Sequence, residues 1–255
     1  MRTTPRGLRT RPGTRGSLTK AGSLTSARHS TRARWAWLLT LPLVAALIAG
    51  LWIVTTQPHP LNDYTLTGAR SPACLRVIVI RDQSGSMRGY ETARDAAMQA
   101  LIQWSAKPDT LRPDDELAIL DFGGTAAVAL TTTTLQSLHA TTPPPATVVD
   151  PSGSDINTAI ALLPQLPATT CHTSLIVLSD GLIGPLTDDT RTRLSQHQVT
   201  NLTLILPDTT TVPAQWDTAF PYGITLNAPA NDANQTSIAV AQAIASSTNQ
   251  ELQRH

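Results

Sequence analysis

The sequence predicts an α/β domain built on a doubly wound, mostly parallel sheet with one antiparallel edge hairpin, preceded by one transmembrane helix. Three observations carry this. Short β-branched runs alternate with stretches whose apolar residues recur at helical spacing. Those runs are nearly continuous, as strands covered on both faces are. A twenty-residue uncharged segment lies upstream of them all. Strands separated by helices imply parallel pairing with helices on both faces of the sheet.

The chain has 255 residues and a formal charge of +1, which hides an asymmetry: residues 1–34 hold eight Arg, one Lys and no acid, so they carry +9 and leave −8 for the rest. The tail 1–34 is rich in Arg, Thr, Ser and Gly and too poor in large apolar residues to bury a core, so it is expected to be disordered. Its charge suits anionic lipid headgroups, and without interleaved aromatics it carries no nucleic-acid signature.

Trp35–Val54 contains no charge; at about 1.5 Å per residue its length covers a hydrocarbon core of roughly 30 Å. A transmembrane helix is expected over 35–56, Trp35 to Thr56, with Trp35, Trp37 and Trp52 at the two interfaces. The long basic lead, an apolar run beyond the usual ~7–15 residues and the lack of an A-x-A site argue against a cleaved signal peptide. Basic residues concentrate before the helix, so the positive-inside rule predicts a single-pass plasma-membrane protein with a cytoplasmic N-terminus and an extracytoplasmic domain.

Residues 57–72, with Pro, Gly and polar residues but no periodicity, read as a linker, and 73–252 as the folded domain. "LRVIVI" (75–80) is a buried strand, and "YETARDAAMQALIQWSAK" (90–107) a helix with Ala93, Ala97, Leu101 and Trp104 on one face. "DELAILDF" (115–122) and "TAAVALT" (125–131) are strands joined by Gly123-Gly124, a tight-hairpin signal. After a Pro-rich loop (141–154), "DINTAIALL" (155–163) is a helix capped near Asp155 or Ser154. "TSLIVLSD" (173–180) is a second buried strand, 186–198 a surface helix, 202–206 a strand, 222–226 a weak strand and 234–252 a closing helix.

An open α/β sheet binds its ligands beyond the C-terminal ends of its strands, where the topology changes direction. Asp82 stands just past the run 75–80, followed by Ser84 and Ser86, and Asp180 just past 173–179. Between them in sequence lies "SGSD", with Ser152, Ser154 and Asp155. Carboxylates and hydroxyls without thiolate or imidazole select a hard divalent cation; Mg²⁺ leads, because it keeps several waters and needs few protein carboxylates, with Mn²⁺ or Ca²⁺ as alternatives. Taken alone, "DQSGSM" is also a turn whose Asp and Ser side chains bond to local amides.

The combination "DQSGSM", "SGSDI" and "SDGL", in this order and each at a strand end or loop, resembles the von Willebrand factor A domain with its metal-ion-dependent adhesion site, over about residues 73–252. The resemblance implies metal ligands at Asp82, Ser84, Ser86, Ser154 and Asp180, and a partner protein whose acidic residue completes the coordination. Two positions depart from the family's pattern. Ser154 stands where Thr is usual, which keeps Ser152 as an alternative ligand, and Arg81 stands where an apolar residue is commoner. In the family the strands ending at Asp82 and Asp180 are adjacent. Cys74 and Cys171 open those two strands, so the resemblance implies a disulfide between them, in keeping with a non-cytosolic side.

Enzymatic patterns are incomplete. Position 84 is Ser, so no D-x-D pair follows the first strand; "DQSGS" lacks G-x-S-x-G; and His29, His59, His139, His172, His197 and His255 form no HExxH pair. The expectation is a non-enzymatic, membrane-anchored domain that captures a protein partner through its metal. The alternative is an assembly subunit whose metal site is a docking or folding element, and a metal-dependent hydrolase is the third choice.

Overall fold

The computed structural model describes residues 60–138, 144–207, 211–212, 216 and 223–255. Its strands are β1 (Tyr64–Thr67), β2 (Leu75–Asp82), β3 (Glu116–Phe122), β4 (Ala126–Thr134), β5 (His172–Leu178), β6 (Val199–Pro207), β7 (Ile224–Ala228) and β8 (Glu251–Arg254). Its helices are α1 (Glu91–Ser105), α2 (Leu135–Leu138), α3 (Ile156–Ile160), α4 (Asp188–Gln196) and α5 (Ala233–Thr248).

Six strands form one sheet in the order β4-β3-β2-β5-β6-β7. All neighbours pair in parallel except β3 and β4, the edge hairpin. The chain enters at β2, builds outward through β3 and β4, returns to lay β5 against the other side of β2, and continues through β6 and β7. The direction of winding therefore reverses between β2 and β5, which is where such a sheet opens a crevice.

Every residue of β2 is buried, because the strand is covered on both faces. Val77 and Val79 face a core with Met98, Trp104, Val240 and Ile244 of α1 and α5. Ile78 and Ile80 face a second core with Ile156 and Ile160 of α3 and Leu194 of α4. The period-two alternation of a strand thus serves two layers at once, and a continuous apolar run results. Asp155 caps α3 by accepting from the Asn157 amide at 3.0 Å, and Asp232 caps α5 by accepting from Asn234 and Gln235.

The chain termini of the domain differ from expectation. Helix α5 stops at Thr248, because Asn249 takes a left-handed φ of 58° and Gln250 N–H donates to the Ala245 carbonyl. Residues 251–254 then form β8, antiparallel to β1. The described part of the expected linker 57–72, from residue 60 on, accordingly contributes to the folded domain: Leu61 and Leu66 are buried in the α1/α5 core, and Trp104 Nε1 donates to the Tyr64 carbonyl at 2.8 Å. The alternation in "YTLT" was too short to outweigh the surrounding Pro and Gly as a sequence signal. Helix α3 is also shorter than expected, ending before a 3₁₀ turn at Leu163–Gln165 that has Pro164 in its first positions.

Cys74 and Cys171 form a disulfide with Cα atoms 4.7 Å apart, at the starts of β2 and β5. Among the described residues no helix is long and apolar enough to cross a membrane. The tail 1–34 and the apolar segment 35–56 lie outside the described residues.

Candidate metal centre

Three loops meet at the C-terminal ends of β2 and β5, and the residues in them explain why. Asp82 is the last residue of β2 and is fully buried. Its Oδ1 accepts from the Ser84 amide at 2.8 Å, which folds the chain back into the turn that carries Ser84 and Ser86, whose hydroxyls are 3.1 Å apart. Its Oδ2 accepts from the Ser154 hydroxyl at 3.0 Å and from the Ser179 hydroxyl at 2.6 Å. One carboxylate oxygen therefore ties the second and third loops to the first.

The second loop is fixed by backbone hydrogen bonds. Gly85 N–H donates to the Pro151 carbonyl at 2.9 Å, Gly124 N–H to the Asp150 carbonyl at 2.7 Å, and Asp155 N–H to the Gly123 carbonyl at 2.9 Å. A Cβ on Gly123 would lie 2.3 Å from the Asp150 carbonyl oxygen, so this position needs Gly for the close approach of the loop. The hairpin signal thus has a second origin. The turn between β3 and β4 is three residues long, and its glycines make room for the loop bearing Ser154.

Asp180 is 6% exposed and accepts from the Leu182 amide at 2.9 Å, across Gly181 at a left-handed φ of 82°. Ser154 carbonyl accepts from Gly184 N–H at 2.8 Å, joining the second and third loops directly. Ser152 is exposed and turned away. Its hydroxyl and its amide hold the Asp150 carboxyl below the usual carboxylate range, and the hydroxyl at Asp82 belongs to Ser154.

The charges at this end decide what the arrangement suits. Asp121, fully buried on β3, receives a two-pronged ion pair from Arg81 at 2.7 and 2.9 Å. At the opposite end of the sheet Asp115, also buried, is paired with Arg70 at 2.5 Å. Among the described residues, neither Asp82 nor Asp180 has such a cation within ion-pair distance. A buried carboxylate requires a paired cation, a metal or a proton. Two acids flanked by three hydroxyls fit a hard divalent cation, which would supply the missing positive charge. Among the described residues no group of three or more His, Cys, Asp or Glu gathers in one place, so a site here has to draw on hydroxyls.

Arg81, an anomaly in the sequence, has a clear structural task. Besides Asp121, its guanidinium donates to the Pro144 and Pro145 carbonyls at 3.4 and 3.5 Å, and Asp121 accepts from the Thr147 amide at 2.6 Å. The ion pair clamps the Pro-rich loop above the site. Sequence reading also missed Ser179, which sits beside Asp180 in "SDG", and Arg94, one helical turn into α1, whose Nη1 donates to the Asp82 carbonyl at 2.6 Å. Both are ordinary polar residues in sequence; only the meeting of β2, β5 and α1 gives them a role.

No family model matches the sequence, and no curated protein matches it. Solved structures do. Proximal thread matrix protein 1 from the mussel byssus aligns with a TM-score of 0.50 at 13% identity, over 75% of this chain and 50% of that one. The von Willebrand factor type A protein of Catenulispora acidiphila aligns at 0.49 and 16%, over 74% and 50%. BatB of Bacteroides thetaiotaomicron aligns at 0.48 and 16%, over 68% and 98%. At 13% identity the alignment with the byssus protein shows a likeness of fold alone. The byssus protein has also been solved with zinc in its metal-ion-dependent adhesion motif.

Proposed function

We propose that this chain is a von Willebrand factor A-domain protein whose metal site captures a carboxylate of a partner protein, on the extracytoplasmic side of a membrane to which Trp35–Thr56 anchors it. The observation that carries the site is the pair Asp82 and Asp180, buried at the switch point of the sheet with no ion pair to either carboxylate among the described residues. Asp82, Ser84, Ser86, Ser154 and Asp180 would hold the cation, Mg²⁺ before Mn²⁺ or Ca²⁺, with Ser179 and Arg94 positioning Asp82. A cation held by these residues would have its two charges balanced by the two acids and would offer a partner carboxylate a ligand position. The role proposed is binding.

The surroundings favour a protein ligand. Val148 is 96% exposed and Leu182 70%, and each lies in a loop that carries a site residue. Large apolar side chains on a site's loops give a partner's surface something to bury around the charged contact.

The test is calorimetric titration of the full chain with MgCl₂, paired with affinity capture from its native membrane in Mg²⁺ or EDTA. The expected result is saturable Mg²⁺ binding that Asp82→Ala abolishes, and partners retained in Mg²⁺ but released by EDTA while the domain stays folded. Full Mg²⁺ binding in Asp82→Ala would sink the assignment. Melting of the domain in EDTA would favour a folding element over a capture site.

A further inference from the structure

At the opposite end of the sheet, near the disulfide, β2, β5, α4 and the 3₁₀ turn enclose a recess of ≈ 340 Å³. One wall is apolar, with Ile78, Leu163 and Leu166; Arg76, Thr173 and His197 supply polar groups. Arg76 is 5% exposed, and its donors are unequally used. Nε donates to Glu116 at 2.6 Å and Nη1 to the Pro167 carbonyl at 2.8 Å, while buried Nη2 has no partner among the described residues. A buried guanidinium N–H without an acceptor is costly and calls for one.

We propose that this recess binds a small organic carboxylate, whose oxygens take the His197 imidazole and, once the guanidinium turns toward the recess it lines, the Arg76 Nη2 that is buried at rest, while its apolar body lies along Leu163 and Leu166. The charge present favours a monoanion over phosphate, because Glu116 already offsets Arg76 and Thr169 already donates to that same Glu116 oxygen. The groups facing His197 are Arg76 from β2 and Arg193 from α4, the latter paired with Asp189. Burial first, and then these two guanidiniums, hold the imidazole below its ordinary 6.5, the behaviour of a base in a positive field. An anion bound there relieves that field, so binding takes up a proton and tightens as pH falls.

The proposed metal centre also takes carboxylates, so the two sites have to be separated. Calorimetric titration of the full chain with hexanoate in EDTA is expected to show one saturable site, unchanged in Asp82→Ala and tighter at a pH of about 5.5 than at about 7.5. Arg76→Lys, which keeps the charge for Glu116 but loses the planar fork, should weaken it about tenfold or more. Ala168→Trp, at the solvent-exposed rim, should block it without touching the ion pair. Absence of saturable binding up to tens of millimolar, full affinity in Arg76→Lys and Ala168→Trp, or equal binding of inorganic phosphate overturns the proposal. Failure of this test leaves the Mg²⁺ titration unaffected.

Discussion

Strands β2 and β3 carry an arginine–acid pair at each end, and the two pairs are solved differently. Arg76 stands opposite Glu116 and Arg81 opposite Asp121, each in parallel register. Five residues separate the arginines, an odd number, so they project to opposite faces of the sheet. At the upper end the pair is closed: both Asp121 oxygens are bonded, and Thr147 N–H and the Gln83 amide add further donors. At the lower end Glu116 keeps 19% of its side chain exposed, and the Arg76 Nη2 has no hydrogen-bond partner among the described residues. The same chemistry therefore serves as a clamp where loops must be held, and leaves valence where a recess opens. Asp82 sharpens the contrast, since it lies one residue beyond Arg81, equally buried, yet the arginine that reaches it, Arg94, binds its backbone carbonyl and leaves its carboxylate without an ion pair among the described residues.

Breaking the clamp should have the largest effect on stability. Asp121→Ala strands a buried guanidinium and is expected to cost ~3–5 kcal/mol in urea unfolding, whereas the double change Arg81→Leu with Asp121→Leu should remain within about 1–2 kcal/mol of wild type. Mg²⁺ affinity of that double variant should still fall, because the loop carrying Ser154 loses its anchor at Thr147; unchanged affinity would reduce the clamp to a packing device. Cys74→Ser with Cys171→Ser removes a cross-link spanning 97 residues and should lower stability by about 3 kcal/mol, with Mg²⁺ binding kept, since the bond lies at the far ends of β2 and β5.

Arg76→Met is expected to cost only ~1–2 kcal/mol, because Glu116 can reach water once its partner is gone. A cost equal to that of Asp121→Ala would erase the difference between the two ends. The smallest effect belongs to His197. Its folded value lies below 6.5, so the unfolded chain takes up the proton first, and stability falls as pH drops from 6.5 through that lower value. NMR titration should show the depression, and Arg76→Met should move the value back towards 6.5.

Much of this was legible in the chain. The apolar runs 75–80 and 173–179 announced buried strands because β-branched residues without alternation suit a strand covered on both faces, while their adjacency was only what the family resemblance implied. Asp82 and Asp180 marked the crevice because each follows such a run. Less local features were opaque. "YTLT" and "ELQR" are each four residues long, and neither signals a strand until the other lies beside it. Ser179 and Arg94 reach Asp82 across 97 and 12 residues of chain, a proximity that no local pattern encodes.

The sequence by itself determined the strand–helix order of the six-stranded sheet, the three oxygen-rich loops and the hairpin at Gly123-Gly124, because these depend on periodicity and turn chemistry acting over a few residues. Only the tertiary structure decided that Arg81 is satisfied by Asp121, that Ser154 rather than Ser152 meets Asp82, and that one Arg76 donor remains spare. Those outcomes depend on which charges burial brings together. Burial is settled by the packing of distant segments, and it is what makes an unpaired acid or donor costly enough to matter.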